Sequence, residues 1–471
     1  MHTYDLLSDK ATCFMNQEKL EEDLQGALSL SKDSVYISQV LLKARQKRGL
    51  TAFEATALLL NNDEEVVSEI FSLAREIKDV YYGNRIVLFA PLYLSNYCIN
   101  SCTYCPYHVS NKSMPRKKMT QVEIKNEVIA LQDMGHKRLA LELGEDPIHN
   151  PIDYVLESIE TIYNTHHKSG SIRRVNVNIA ATSIENYKKL KDAEIGTYIL
   201  FQETYNKKDY EKLHPKGPKS DYIYHTEAMD RAMLAGIEDV GLGVLFGLHN
   251  YAYEFMGLLM HAEHLEKKYG AGPHTISVPR LCPASGIDVK DFPNALPDDI
   301  FLKIIALLRI AVPYTGLIMS TRESKEVREQ ALFMGISQIS GASKTSVGGY
   351  TSKLEQNDAQ FEISDNRSLD EIVYWLMENG HIPSFCTSCY GNNRKGEDFM
   401  DICKKMQIHK FCTPNALLTL KEYVNNYASP STKYLGEKMI ANEIQYLSDR
   451  RKAELERRIG ILSQTGTIKF F

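Results

Sequence analysis

The sequence predicts a (β/α)8 barrel of the TIM type, preceded by helices and followed by a mostly helical C-terminal extension. After Gly83, eight short β-branched or apolar runs alternate with seven helical stretches. This alternation predicts parallel strands joined by crossover helices. The span of about 260 residues is typical of such a barrel. An open doubly wound sheet is the alternative, but no GxGxxG follows the first strand, which weakens a dinucleotide-binding interpretation.

Three segments follow from this pattern. We expect an N-terminal helical segment at 1–83 and the barrel at 84–349. Residues 350–471 are expected to form a C-terminal domain in which three cysteines, Cys386, Cys389 and Cys412, predict a bound iron–sulfur cluster. Amphipathic helical patterns fill the first segment from about residue 17 to 80. The predicted strands are 85–94, 137–144, 173–180, 196–204, 239–248, 275–281, 316–322 and 335–343.

Composition excludes several classes of protein. The 471 residues carry a formal net charge of −5 and are 43% hydrophobic. This balance gives no support for a nucleic-acid or polybasic membrane surface. No apolar stretch approaches the ~18 residues of a membrane span, and the first residues lack the pattern of a signal peptide. We therefore expect a cytoplasmic protein without nucleic-acid or membrane partners.

Three of the nine cysteines form a CxxxCxxC motif, Cys98, Cys102 and Cys105. The motif directly follows the first predicted strand, so it lies at the carboxyl face of the barrel, where barrel enzymes carry out chemistry. Thiolates are soft ligands that favour iron–sulfur clusters or zinc. A [4Fe–4S] cluster held by three thiolates leaves one iron open. The alternatives are zinc with His108 as fourth ligand, or three inert thiols.

A second group, Cys386, Cys389 and Cys412, has the spacing CxxC, then 22 residues, then Cys. Again there are three thiolates, which favours a [4Fe–4S] cluster with an open iron. Zinc is the alternative, and Cys403 is a possible fourth ligand. Cys13, Cys282 and Cys403 are otherwise expected to be small buried hydrophobes.

CxxxCxxC after a first barrel strand resembles the radical S-adenosylmethionine (SAM) superfamily. The segments 214–222 (HPKGPKSDY) and 276–281 (ISVPRL) and the run at Gly348, Gly349 and Tyr350 resemble its aromatic amino-acid lyases. The second cysteine group is similar to that of the tyrosine lyases that mature [FeFe]-hydrogenase. The thiamine-pathway tyrosine lyase lacks it.

The resemblance implies a reaction and its cofactors. One cluster binds SAM and reduces it to a 5′-deoxyadenosyl radical, which takes a hydrogen from the amine of L-tyrosine. Cleavage of the Cα–Cβ bond gives p-cresol and dehydroglycine, which yields carbon monoxide and cyanide. The auxiliary [4Fe–4S] cluster then assembles an Fe(CO)2CN unit on an extra, "dangler" iron that is held by a histidine and a free cysteine.

The resemblance also implies residues for SAM. Gly144 and Glu145, which follow the second strand, resemble the glycine-plus-acid turn near the SAM amine. Gln202, Glu203 and Arg231 are further candidates for its polar groups. The alternatives are a helix N-terminal acid for Glu145 and a surface salt bridge for Arg231.

Substrate and iron ligands are predicted at opposite faces of the barrel. Ser320, Thr321 and Arg322 end the seventh strand and are candidates for the substrate carboxylate, because Arg binds carboxylates with two hydrogen bonds. Arg280 is the second choice, and pairing with Glu145 or another rim acid is the alternative for Arg322.

His274, just before the sixth strand, is the candidate ligand of the extra iron. His261, His264 and His409 are its rivals. A tunnel along the barrel would keep carbon monoxide and cyanide from escaping. It requires the two clusters to lie at opposite ends of the barrel.

The implied partners are L-tyrosine, SAM, free cysteine, the other [FeFe]-hydrogenase maturases and a reductant such as ferredoxin or flavodoxin. The open iron implies an anaerobic cytoplasm. Two alternatives remain. One is a thiamine-pathway tyrosine lyase (2-iminoacetate synthase), and the other is a non-catalytic iron–sulfur scaffold.

Overall fold

A computed structural model describes residues 11–352, 358–388, 408–466 and 468–471. Within these ranges, the helices are too short or too polar to cross a membrane. One continuous apolar core runs from the N-terminal helices through the barrel to the C-terminal helices.

Helices occupy the N-terminal segment from residue 11, where the described residues begin, as the amphipathic patterns predict. Their starts are set by side chains that accept hydrogen bonds from the first free backbone N–H groups. Thr51 and Glu54 form a reciprocal capping box, and Asp33 and Asp63 cap two further helices. The five helices are α1 (Ala11–Phe14), α2 (Gln17–Leu30), α3 (Ser34–Ala44), α4 (Ala52–Leu60) and α5 (Glu64–Tyr82).

Eight parallel strands form the barrel. The last of them pairs with the first, Val87 opposite Gln338, so the sheet closes and the open doubly wound sheet is wrong. The strands are β1 (Arg85–Ser95), β2 (Arg138–Leu143), β5 (Arg174–Asn178), β6 (Tyr198–Ile199), β7 (Val240–Gly243), β8 (Thr275–Ser277), β9 (Gly316–Met319) and β10 (Gln338–Ser340). A small antiparallel hairpin, β3 (His166–His167) and β4 (Gly170–Ser171), lies between β2 and β5.

Helices cross over between successive barrel strands, as the alternation predicts. Thr120 and Glu123 form a capping box at the first of them, and Gly135 ends it with a left-handed φ of 104°. The helices are α6 (Gln121–Met134), α7 (Ile152–Asn164), α8 (Ile184–Asp192), α9 (Lys207–Leu213), α10 (Tyr222–Thr226), α11 (Ala228–Leu234), α12 (Tyr251–Tyr269), α13 (Asp298–Ala311) and α14 (Lys325–Met334).

Several barrel strands are shorter than predicted. The run 196–204 forms only β6, and the run 275–281 forms only β8. Beyond these ends the chain keeps its parallel alignment through single bridges, Glu203 with Val244 and Phe246 with Arg280. Glu203 takes a φ of +70°, outside the range of a β-strand, so the regular ladder does not continue through it.

The C-terminal part packs against the amino end of the barrel. β11 (Ile382–Ser384) adds to β1 in parallel, with Arg85 opposite Ile382. Phe385, directly after β11, stacks on Tyr423 with ring centroids 5.1 Å apart. Within the described residues of this part, the helices are α15 (Leu369–Glu378), α16 (Ile408–Asn426), α17 (Pro430–Glu443) and α18 (Asp449–Thr465). The predicted fold class is confirmed, and the segment boundaries at 83 and 349 stay predictions.

Candidate active site and second cysteine site

The three cysteines of the first motif line one cavity at the carboxyl ends of the barrel strands. Cys102 is buried, and Cys98 and Cys105 are half-buried. Burial raises the pKa of the Cys98 thiol, and burial followed by the nearby Cys98 raises the pKa of Cys105 to about 12. Thiols in such surroundings become thiolates only when a cationic body compensates their charge. Three converging soft donors of this kind fit an iron–sulfur cluster.

Close backbone contacts hold the cysteine loop against the end of β2. A Cβ on Gly144 would lie 2.4 Å from Tyr97 O and 2.9 Å from Cys98 Cβ, so only glycine allows this approach. Ile99 N donates to Glu145 O over 2.9 Å, and Asn100 Nδ2 donates to Glu145 Oε2 over 2.7 Å. The predicted glycine-plus-acid turn therefore contacts the loop directly.

Lys219 and Asn100 join this site, although they were not among the predicted site residues. Lys219 Nζ lies 2.7 Å from Glu203 Oε1, and Lys219 N donates to Asn100 Oδ1 over 3.0 Å. Burial acts to lower the pKa of Lys219, but the Glu203 carboxylate outweighs it, so the pKa is raised. Lys219 belongs to the segment 214–222, whose glycine and prolines were the available signal. A Cβ on Gly217 would lie 2.3 Å from Asn100 Oδ1.

The candidates for SAM divide into two groups. Gly144, Glu145 and Glu203 line the cavity, whereas Gln202 and Arg231 are absent from its lining. Gln202 Nε2 donates to the Thr226 hydroxyl over 2.8 Å. Neither alternative matches the structure. Arg231 is buried at 1% exposure, and Glu145 lies seven positions before Ile152, the first residue of α7, the next helix along the chain.

Arg231 is held inside the protein by backbone carbonyls. Its Nε donates to Thr182 O over 2.9 Å, and its guanidinium carbon lies 3.8 Å from the centroid of the Tyr224 ring.

Ser320, Thr321 and Arg322 all line the same cavity. The guanidinium of Arg322 stacks on the ring of Phe361, with its carbon 3.5 Å from the centroid. Within the part of the chain that the structure describes, Arg322 forms no ion pair with Glu145, although its charge opposes the larger effect of burial on the pKa of another rim acid, Glu142. Its side chain is oriented but keeps its charge available to a ligand.

The second choice, Arg280, is engaged elsewhere. Its guanidinium forms an ion pair with Glu323, and its Nη1 lies 2.7 Å from Asp298 Oδ1. The ring of Phe301 covers it as well, 4.3 Å from the guanidinium carbon.

Of the remaining residues weighed, Cys282 lines the first cavity, whereas His108 is absent from its lining. His108 is half-buried and its Nδ1 contacts the Ser110 hydroxyl at 2.7 Å. Cys13 is exposed and Cys282 half-buried, so the expectation that both are buried was wrong. Cys13 lies on the one-turn helix α1 at the surface. Cys403 lies outside the described residues.

A second cavity lies at the amino ends of the strands. It brings Cys386 and Cys412 together with His274, although 138 residues separate His274 from Cys412 in the chain. Arg138 Nη2 donates to Cys386 O over 3.0 Å. Burial raises the pKa of Cys386, and the neighbouring Cys412 adds to the effect. Cys389 lies outside the described residues, so the third donor of this group stays a prediction.

The histidines weighed for the second site differ in position. His274 lines the cavity, and its Nδ1 lies 3.5 Å from Asp239 Oδ1. His264 Nε2 instead lies 2.9 Å from Asp230 Oδ1, and His261 Nδ1 contacts the Tyr205 hydroxyl at 3.0 Å. The side chain of His409 is outside what the structure describes. Among the described side chains, no group of three or more His, Cys, Asp or Glu is arranged to hold a single metal ion.

The two cavities approach each other along the barrel axis. Each of the strands β1, β2, β9 and β10 contributes to the lining of both cavities. On each strand, one residue of the second cavity comes two positions before one residue of the first cavity. The pairs are Val87 and Phe89, Arg138 and Ala140, Gly316 and Ile318, and Gln338 and Ser340. Two strand residues span about 6.6 Å, so about one layer of side chains separates the cavities.

Comparison with known proteins agrees with this architecture. Residues 92–259 match the radical SAM superfamily, and residues 277–382 match the biotin and thiamin synthesis associated domain. The 2-iminoacetate synthase of Salmonella typhimurium is 30% identical over 335 residues, which are 71% of this chain and 86% of the synthase.

Two solved structures are similar along nearly the whole chain. One is a crystal structure of HydG, a maturase of the [FeFe]-hydrogenase, with 52% identity, a TM-score of 0.94 and coverage of 97% of this chain and 100% of the other. The other is HydG from Carboxydothermus hydrogenoformans, with 37% identity, a TM-score of 0.83 and coverage of 96% and 99%.

A closed parallel barrel with a cysteine triplet after its first strand defines a radical SAM enzyme. This class of protein holds a [4Fe–4S] cluster and SAM, and the donors around Cys98 fit both. Within it, the chain belongs to the HydG family of radical SAM lyases.

Proposed function

We propose that this enzyme cleaves the Cα–Cβ bond of L-tyrosine to p-cresol and dehydroglycine, and converts dehydroglycine to carbon monoxide and cyanide. The two diatomic ligands would leave as an Fe(CO)2CN unit for the H-cluster of [FeFe]-hydrogenase. One observation carries the proposal. Two cysteine-lined cavities face each other through a single barrel, and the second also holds a histidine.

Cys98, Cys102 and Cys105 would hold the first cluster. When bound, the cluster supplies the electron that splits SAM, and the resulting 5′-deoxyadenosyl radical takes a hydrogen from the substrate. The chain's own residues position the reactants. Glu145 and Glu203 are suited to the cationic amine of SAM, since carboxylates form strong charge-assisted hydrogen bonds with it.

Arg322, with Ser320 and Thr321, would bind the tyrosine carboxylate. A guanidinium that is already oriented by stacking on Phe361 loses little conformational freedom on binding. Walls that exclude water would protect a reactive radical from side reactions.

Cys386, Cys389 and Cys412 would hold an auxiliary [4Fe–4S] cluster, with an extra iron beside it on His274 and a free cysteine. Imidazole and thiolate both suit iron. The thin partition between the cavities supports transfer of small diatomic molecules from the first site to the second. Carbon monoxide and cyanide need only a narrow passage, which tyrosine could not use.

A thiamine-pathway activity is the second candidate, because a 2-iminoacetate synthase is 30% identical over 71% of this chain. Such an enzyme would have no need of the second cysteine group, and it would release dehydroglycine without forming carbon monoxide. A non-catalytic iron–sulfur scaffold is a further alternative. The proposed partners are other [FeFe]-hydrogenase maturases and a ferredoxin or flavodoxin as reductant, in an anaerobic cytoplasm.

The test is anaerobic reconstitution with iron and sulfide, followed by reaction with SAM, tyrosine, cysteine and dithionite. The products p-cresol, 5′-deoxyadenosine and carbon monoxide are measured together. We expect all three from the wild type, p-cresol without carbon monoxide from Cys386→Ala, and none from Cys98→Ala. Free dehydroglycine without carbon monoxide from the wild type would favour the synthase. Absence of 5′-deoxyadenosine would favour the scaffold.

A further inference from the structure

The charged side chains that line the first cavity form two sets. Glu145, Glu203 and Lys219 belong to the cysteine side, where hydrogen bonds through Asn100 tie them to the loop. Glu142 and Arg322 form a second set, at the ends of β2 and β9. The second set therefore offers one carboxyl group and one cation that the cysteine loop does not use.

Glu142 is a half-buried carboxyl at the end of β2. Burial raises its pKa to about 8, against the opposing effects of the Arg322 charge and a hydrogen bond with the Asn178 side chain. Burial raises the pKa values of the Tyr93 and Tyr107 hydroxyls, and the Glu142 charge adds to the effect on both. Among the described residues, the groups that act on this carboxyl or feel its charge include one cation, one amide and two phenols.

Arg322 faces the same cavity from the end of β9. Its backbone N donates to the Ser320 hydroxyl over 3.3 Å, and Phe361 stacks on its guanidinium. A carboxyl group and a guanidinium in one cavity match the ammonium and the carboxylate of a free α-amino acid. Tyrosine, the substrate proposed above, is such a molecule.

We propose that Glu142 binds the α-amino group of the amino-acid substrate and accepts one of its protons, while Arg322 binds the carboxylate. This inference rests on the proposed function. In the transfer, an N–H bond of the ammonium breaks and an O–H bond forms on Glu142. The electron pair stays on nitrogen, so nothing is oxidised or reduced. The neutral amine that results can lose a hydrogen atom without leaving a positive charge on nitrogen.

With Glu142 in this role, tyrosine binding should depend on pH. Below its pKa the free carboxyl is neutral and attracts the ammonium weakly, and above it the carboxylate attracts it strongly. The affinity for tyrosine should therefore rise as the pH rises through about 8, until the free amine loses its own proton. Desamino-tyrosine, which lacks the amine, should show no such rise.

The experiment is equilibrium dialysis of the unreduced holoenzyme with SAM, in which no turnover occurs. Glu142→Gln should weaken tyrosine binding about 10- to 100-fold, the loss expected for one charge-assisted hydrogen bond, and abolish its rise with pH. The affinity for desamino-tyrosine should stay within about twofold of the wild type. Glu185→Gln removes an exposed carboxyl and should change neither affinity.

The inference would be overturned if Glu142→Gln bound tyrosine as tightly as the wild type does, or if it lost affinity for tyrosine and desamino-tyrosine equally. Glu142→Asp, which keeps the charge, should recover part of the affinity and the rise with pH. If both variants unfold, the wild-type protein still tests the inference. Equal affinities of the wild type for tyrosine and desamino-tyrosine at pH 9 would refute the role of Glu142. Failure of the proposed function is distinct, since the wild type would then yield no p-cresol from tyrosine.

Discussion

Lys219 Nζ lies 2.7 Å from Glu203 Oε1, and the two side chains form a largely buried ion pair beside Cys102. Glu203 holds this position with a φ of +70°, a conformation that non-glycine residues seldom adopt. Such strain persists only where the surrounding structure enforces it. The pair therefore organises the cysteine side of the first cavity.

Loss of either partner alone should destabilise the protein. Lys219→Met leaves the Glu203 carboxylate buried without its cation, and we expect a loss of about 2–4 kcal/mol in the free energy of unfolding. Urea unfolding of the cluster-free protein measures it. Adding Glu203→Gln to Lys219→Met should recover more than half of the loss, and simple additivity of the two substitutions would refute the coupling.

Gly144→Ala should disrupt the first site. The new Cβ would overlap Tyr97 O and press on Cys98 Cβ, and overpacking of this kind costs about 1–3 kcal/mol. We expect fewer irons per chain after reconstitution, together with a lower midpoint of thermal unfolding. Gly460→Ala is the matched control, since nothing lies within 4 Å of its Cβ position in α18. An unchanged iron content in Gly144→Ala would contradict the close contact.

Buried His136 should make the protein sensitive to acid. Burial lowers its pKa to about 3, below the ordinary value of about 6.5. Between these two pH values His136 is protonated in the unfolded chain and neutral in the folded chain. The free energy of unfolding therefore falls as the pH falls. From pH 7 to pH 5 this group alone should remove about 2 kcal/mol. Urea unfolding at both pH values should show a smaller difference in His136→Gln, and equal differences in both proteins would rule out this role.

Arg322→Gln should raise the tyrosine concentration needed for half-maximal p-cresol formation. In the proposed role of Arg322, replacing the cation would remove a charge-assisted hydrogen bond to the carboxylate, which is worth about 1.5–3 kcal/mol, or roughly 10- to 100-fold. Steady-state assays over a range of tyrosine concentrations measure it.

Arg280→Gln is the matched control for this assay, because Arg280 is already paired with Glu323 and Asp298. It should lower stability and leave the tyrosine dependence unchanged. The reverse outcome would make Arg280 the carboxylate ligand.

The sequence by itself determined the barrel and the location of its chemistry. Alternating periodicity is a local property, and it placed the strands and most crossover helices correctly. The CxxxCxxC loop follows β1 in the chain, so its place at the carboxyl face needed no tertiary information. Gly144 and Glu145 could be predicted for the same reason, because they directly follow β2.

The tertiary structure alone decided which distant side chains meet. Barrel closure and strand register bring Glu142 into one cavity with Arg322. The sequence predicts His274 from its place at the amino end of the barrel, but only the fold separates it from its rivals His261 and His264, since of these three it alone lines the cavity with Cys386 and Cys412. The same packing turns Gln202 and Arg231 away from the lining of the first cavity. Periodicity cannot encode such encounters, because each depends on how several strands and loops of the closed barrel pack together.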